Sequence, residues 1–235
     1  MSASQKINAA APALMDTITG LNVDLAGIIR LADLKEDRLG RMAAGLLPGV
    51  KSVIVVAMEL FPEILDLTSP SRTMGAASLN DLYADNSEFI SGKLTERVYD
   101  LTRVSRKQGL KALPLSAAGC PTDNRFLEAV FSFKHAGEAA GMGKMGWHSL
   151  LITPGFGPRV RLACCLTEAE LESTVAGDDF IDCRSCRLCV EACPAGAIKE
   201  PVDGEPYAIN KYACGSYRAS ACGCSECMKV CPQGR

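Results

Sequence analysis

The sequence has no long hydrophobic run. Its longest strongly apolar stretch, "SVIVVAM" from Ser52 to Met58, is strand-sized and far short of the ~20 residues that a membrane-spanning helix needs, so no membrane partner is expected. Nor is there an excess of charge of one sign: 25 basic and 27 acidic residues are well mixed and leave a net charge of −2. Such a balance offers neither the basic field that draws nucleic acid nor a polybasic tail for an anionic lipid surface. Histidine is scarce, with only His135 and His148 present, and no Ser-His-Asp set is legible. An export signal is also missing: one lysine precedes "INAAAPALMD", which Asp16 interrupts too soon for a secretory core, and no twin-arginine pair stands before it. A cytoplasmic location is therefore expected, where clustered cysteines hold metal more often than they form disulfides.

Cysteine is what the chain does have. All but Cys120, Cys164 and Cys165 of its 12 cysteines lie from Cys183 onward, while 48% hydrophobic content over 235 residues suffices for a sizeable core. The expected organisation is a larger α/β domain over 1–175 and a small thiol-dense domain over 176–235. In "CRSCRLCVEACP", Cys183, Cys186 and Cys189 have the spacing that wraps one corner of an iron-sulfur cube. A fourth thiol placed just before proline, here Cys193, ligates the other cube in two-cluster ferredoxins. A zinc knuckle would favour two separated C-x-x-C pairs instead. The partner run is "CGCSECMKVCP", in which Cys224, Cys227, Cys231 and Pro232 repeat the spacing of Cys186, Cys189, Cys193 and Pro194. A perfect copy would have cysteine at 221, but Ala221 stands there, and Cys222 is only two residues from Cys224. Cys214 is thus the preferred fourth ligand and Cys222 its alternative. The expected ligand sets are Cys183, Cys186, Cys189 and Cys231 for one [4Fe-4S] cluster, and Cys193, Cys214, Cys224 and Cys227 for the other.

Elsewhere, "INAAAPALMDTITG" reads as a helix stopped by Gly20, residues around Ala26–Leu31 as a short strand, and "KEDRLGRMAAGLL" as a charged helix. "KSVIVVAMEL" is apolar on both faces and reads as a central strand. Residues 63–85 read as mixed, with a loop at "SPSRTMGAAS". Ile90, Leu94, Val98, Leu101 and Val104 then fall on one face of an amphipathic helix that ends at Gly109. "KALPL" suggests a strand, "RFLEAVFSFKHAGEAAG" a helix capped by Thr122 or Asp123, and "SLLITP" with "RVRLACCLT" two strands joined as a hairpin by "GFGP". The tail is expected to be mostly loops organised by metal. "GMGKMG" over 141–146 matches the dinucleotide glycine pattern, but a helix precedes it and a strand follows, the reverse of the order that such a site requires.

From "HAGEAAGMGKMGWHSLLITPGFGPRVRLACCLTEAEL" into the cysteine run, and again at "VKSVIVVAMEL" and "GLKALPLSAA", the chain resembles the iron-sulfur family that contains epoxyqueuosine reductases and, more remotely, corrinoid-dependent reductive dehalogenases. The resemblance implies a nitroreductase-like fold that holds cobalamin, followed by a ferredoxin-like double [4Fe-4S] domain that passes electrons to cobalt. Similar folds also hold flavin mononucleotide (FMN). Gly141, Gly143, Gly146, Trp147 and His148 match the segment lying by the corrinoid in relatives, and His148 and Tyr83 are the candidate catalytic proton donors. In epoxyqueuosine reductases an acidic donor precedes the glycine turn; its gapless equivalent here is Leu127, with Asp123 and Glu128 nearby, and Trp147-His148 replaces the usual lysine-asparagine. Those enzymes continue past the clusters into a tRNA-gripping region whereas this chain stops at Arg235, so tRNA is not expected as a partner. An electron donor such as ferredoxin or flavodoxin is expected, with a small-molecule substrate or corrinoid protein as acceptor, and nitroreductase-like folds often form homodimers. The leading expectation is an iron-sulfur oxidoreductase that passes electrons to a corrinoid. The alternatives are a non-catalytic ferredoxin-like carrier or reductive activator docking to another enzyme, and a flavin-dependent reductase.

Overall fold

The structure, a computed structural model, describes residues 3–34, 37–68, 76–117, 120–175, 183–203 and 208–234. In chain order the elements are α1 (Ala3–Gly20), β1 (Leu25–Arg30), α2 (Arg38–Leu46), β2 (Ser52–Glu59), α3 (Pro62–Leu67), α4 (Ala76–Lys107) and β3 (Ala112–Leu115). There follow β4 (Thr122–Asp123), β5 (Glu128–Ala129), α5 (Phe133–Ala139), β6 (Lys144–Met145), β7 (Leu151–Ile152) and β8 (Val160–Thr167). Four short helices close the chain: α6 (Cys183–Cys186), α7 (Leu188–Ala192), α8 (Lys211–Ser220) and α9 (Glu226–Lys229). The chain is mixed α and β and divides into two compact units. One is drawn from 1–58, 90–142 and 161–177, the other from 59–89, 143–160 and 178–235.

The first unit is built on a four-stranded sheet of order β1-β2-β8-β3, with β1 antiparallel to β2 and β3 antiparallel to β8. Five consecutive residues of β2, Val53 to Ala57, are fully buried, so both faces of this inner strand are covered. Each buried valine or isoleucine there stabilises the unit by about 1.5–3 kcal/mol. Leu94, Val98 and Leu101 supply a fully buried stripe on α4, spaced three or four apart as a helical face requires. Cys164 and Cys165 are both at zero exposure in β8; a strand that is dry on both faces treats a small thiol as a hydrophobe.

The structure differs from the sequence expectations in three places. Helix α4 starts at Ala76, well before the amphipathic stripe begins, and α3 forms within the stretch read as mixed; the "SPSRTMG" part of the expected loop lies outside the described residues. The helix expected over 125–141 forms only as α5, and its first residues instead belong to the small β4–β5 ladder, which pairs Thr122 with Ala129 and Asp123 with Glu128. Asp123 caps no helix: its carboxylate accepts the Arg125 N–H at 3.0 Å, closing a side-chain turn, and Leu127 takes a left-handed φ of 48°. Finally, β7 pairs with β6 and not with β8. The "GFGP" turn is nevertheless closed by reciprocal bonds between Thr153 and Gly157 at 2.9 and 2.8 Å.

The second unit owes less to apolar burial. Helices α6, α7 and α8 bury no residue completely, and the apolar interior is a modest set that includes Leu60, Leu65, Ile152, Ile198 and Met228. Polar tethers do much of the joining. Lys229 Nζ of α9 donates to the Asp66 and Thr68 carbonyls at 3.1 and 2.9 Å, and the Thr68 and Ser225 hydroxyls, both buried, meet at 2.5 Å. A cation placed on the last carbonyls of α3 also complements that helix end.

Candidate metal centre

The thiols of the second unit fall into two groups. Cys183 and Cys186 bracket the single turn of α6. Arg187, in a left-handed conformation with φ 55°, redirects the chain so that Cys189 enters on α7. Across the unit, Cys231 follows α9. These four thiols line one pocket with about 360 Å³ of empty space, part of it open to solvent. Ile152 and Pro232 give the pocket apolar wall, while His148 and Arg187 add polar groups. Cys231 therefore faces the first cysteine run and not the run in which it sits, as a crossed arrangement demands.

Mutual electrostatics link the thiols of both runs. Burial, and after it the charges of Cys183, Cys186 and Cys231, push the Cys189 thiol up to about 11. Burial followed by Cys224, Cys214, Cys189 and Cys193 pushes Cys227 up to about 12. Burial raises Cys214 and Cys224 as well, and Cys193 acts on both in the same direction. Cys222 is the exposed cysteine of the chain and takes a left-handed φ of 53°. Thiols held so high are protonated at neutral pH in the metal-free chain. Binding a metal must therefore release protons, which makes loading pH-dependent. Among the described residues, no three His, Cys, Asp or Glu side chains gather tightly around one point as a single ion would require. Cys183, Cys186, Cys189 and Cys231 instead share the lining of one pocket.

Two features that the sequence did not reveal hold the C-terminal ligand in place. Arg159, only 1% exposed, forks onto three carbonyls: Nη1 donates to Met228 and Cys231, both at 3.2 Å, and Nη2 donates to Gln233 at 2.7 Å. Its charge also lowers the Cys231 thiol, opposing the larger effect of burial. Gly157 is the second feature. At φ +56° it lies where an added Cβ would fall 2.0 Å from the Gln233 carbonyl oxygen, so only glycine lets the C-terminal segment pass. "GFGPR" thus reads in retrospect as a seat for the last ligand, although an arginine opening an apolar strand was the only visible hint.

The glycine turn proves to be spent on its own chain. Gly141 ends α5 in a Schellman motif, its N–H bonding Glu138 O at 3.0 Å while Met142 N–H bonds Gly137 O at 2.9 Å. A Cβ on Gly143 would sit 2.2 Å from the Ile152 carbonyl oxygen, and one on Gly146 would sit 2.6 Å from His148 Cε1. The space on the Cβ side of both is filled by the protein itself. Trp147 is half-buried, and His148 is turned into the cysteine pocket. Tyr83, also buried, packs by Gly223 in the second thiol run. Both nearby acids are paired with arginine. The Arg125 guanidinium beside Asp123 holds its carboxyl below the usual range, and Glu128 bonds Arg38 at 2.8 Å.

Comparison with known proteins joins these observations. Residues 178–199, carrying Cys183 to Cys193, match the 4Fe-4S binding domain. A tetrachloroethene reductive dehalogenase of Desulfitobacterium hafniense is 33% identical over 207 residues, covering 80% of this chain and 33% of that protein. The chain is thus similar to the iron-sulfur proteins that include reductive dehalogenases and epoxyqueuosine reductases. Among them, epoxyqueuosine reductase of Bacillus subtilis is 25% identical over 205 residues, 80% of this chain and 48% of its own length. In fold, a catabolic reductive dehalogenase solved with 3-bromo-4-hydroxybenzoic acid matches 95% of the chain at TM-score 0.70 and 20% identity, the match spanning 31% of that structure. An epoxyqueuosine reductase solved with a tRNA stem loop matches 97% at TM-score 0.61 and 19% identity, spanning 66% of it. The chain thus spans about a third of the dehalogenases it matches. Among the described residues no helix is long and apolar enough to cross a membrane.

Proposed function

We propose that this protein is an iron-sulfur oxidoreductase that holds two [4Fe-4S] clusters and passes single electrons from them to a corrinoid. One cluster sits on Cys183, Cys186, Cys189 and Cys231, the other on Cys193, Cys214, Cys224 and Cys227. The observation that carries the reading is the pocket in which Cys231 joins the three thiols of the first run. Cys189 and Cys193 are four residues apart along α7 and its end, a helical rise of about 6 Å. One short helix therefore serves both clusters and keeps the electron path between them short. Arg159 fixes the backbone that carries Cys231, and the apolar wall limits water at the cluster face.

The corrinoid half of the reading draws on the relatives, one of which is a reductive dehalogenase whose structure suggests a mechanism for B12-dependent dehalogenation. When bound, a corrinoid would supply a strongly reducing, nucleophilic cobalt. The filled turn at Gly143 and Gly146 lends no support to that segment as its seat. The larger unit, taken as nitroreductase-like, is where we expect it to bind, with electrons arriving from a ferredoxin or flavodoxin. A visible spectrum of anaerobically purified protein titrated with cobalamin tests the reading. Base-off bands that change when the clusters are reduced are the expected result; cluster absorption with unaltered free-cobalamin bands would overturn the corrinoid half.

A further inference from the structure

His148 has a second role open to it, and the geometry of its ring decides which. Its imidazole is 4% exposed and lines the same pocket as Cys183, Cys186, Cys189 and Cys231. The Leu150 N–H donates to Nδ1 at 3.2 Å. A neutral ring that accepts at Nδ1 carries its proton on Nε2. On the Nδ1 and Cε1 edge the ring packs against the turn so closely that Gly146 has no space for a Cβ, which would lie 3.1 Å from Nδ1. Nε2 itself is shielded from solvent. The tautomer and the pose of the ring are thus set by a backbone turn, as for a group whose N–H must point one way.

We propose that His148 donates its Nε2–H to a sulfur of the cluster held by Cys183, Cys186, Cys189 and Cys231, and so raises the reduction potential of that cluster; this rests on the two-cluster reading above. The physical reason is charge. One-electron reduction adds negative charge to a cluster, part of it on the sulfurs, so a fixed donor stabilises the reduced form more than the oxidised form. No proton is transferred and no bond breaks; the cluster would take up one electron from the ferredoxin or flavodoxin donor, and the hydrogen bond would strengthen as the sulfur gains negative charge. His148 is on this view a tuning residue that acts on the electron relay. His148 is one of only two histidines in the chain.

The test is an anaerobic redox titration followed by electron paramagnetic resonance on the full chain, with iron counted in every sample. In His148→Phe, one of the two cluster signals should shift to lower potential by about tenfold in its oxidised-to-reduced ratio, about 59 mV for one electron, while the other stays in place. His148→Gln, whose amide keeps an N–H, should recover most of the shift. Two unchanged potentials in a fully loaded His148→Phe protein would overturn the proposal. Should that variant lose iron, pulsed resonance on wild-type protein labelled with ¹⁵N-histidine decides: a histidine nitrogen coupled to a reduced cluster supports the hydrogen bond, and the absence of coupling overturns it. Wild-type protein loading well short of about eight irons would instead sink the two-cluster reading, and this inference with it.

Discussion

The two compact units solve the same problem with different chemistry. In the first, a strand with five consecutive fully buried residues and a helix with a dry aliphatic stripe bury enough surface to hold the sheet without outside help. In the second, three of the tail helices bury no residue, the thiols of two sequence runs face one another, and hydrogen bonds from Arg159, Lys229 and Asn80 join segments distant in the chain. Four-to-ten-residue helices are too short to stand on helix propensity. On the two-cluster reading, the difference assigns the folding free energy to burial in one unit and to ligation in the other. Removing iron should therefore separate them. After chelation under reducing conditions, limited proteolysis should cut within 183–234 while fragments of the β1-β2-β8-β3 sheet persist. A tail that resists cleavage without iron would erase the contrast.

A smaller effect sharpens the contrast inside the tail. Cys214 lies at half-burial, where Cys193 acts on it electrostatically and it in turn acts on Cys224 and Cys227; Cys222 faces solvent. Cys214→Ala should reduce bound iron from about eight to about four per chain, and Cys222→Ala should leave it near eight. Iron analysis with reconstituted protein checks this, and the opposite pattern would reassign the fourth ligand.

These contrasts also mark what the sequence made legible. A continuous apolar run gave β2, and helical spacing gave the α4 stripe, because burial writes itself into the pattern of apolar residues. Cysteine spacing suggested the crossed thiol sets because a cube of fixed size restricts which neighbours can share it. Arg159 stayed hidden, since a single arginine at the head of an apolar strand reads as a strand end, and its three carbonyl partners lie about seventy residues later and carry no side-chain signature. The same holds for the joining of 59–89 and 143–160 with the tail in one unit: no local pattern in Thr68, Asn80 or Gly157 announces a partner beyond residue 220. The glycine turn shows a use that its density did not specify: Gly143 and Gly146 let the chain pass close to Ile152 and His148.

The smallest expected effect concerns thiols on both sides of the comparison. Burial pushes the Cys165 thiol up to about 12 from an ordinary value of 9.0, with the Thr102 hydroxyl opposing, and Cys164 is raised in the same sense. Below pH 9 the folded and unfolded chains both keep the Cys165 proton, so its stabilising effect is intact. Between pH 9 and 12 only the unfolded chain gives that proton up, and stability falls as pH rises, by about 1.4 kcal/mol per pH unit for one such thiol. A thiolate already bound to iron has no proton to withhold and contributes no such loss. Denaturant melts of the sheet-containing unit at pH 8, 9.5 and 10.5 should show the decline, and Cys165→Ala, though less stable throughout because of the cavity it leaves, should show a shallower one. Equal slopes in the two proteins would mean that the Cys165 thiol ionises in the folded state almost as readily as in the unfolded one, and that the strand is wetter than its burial indicates.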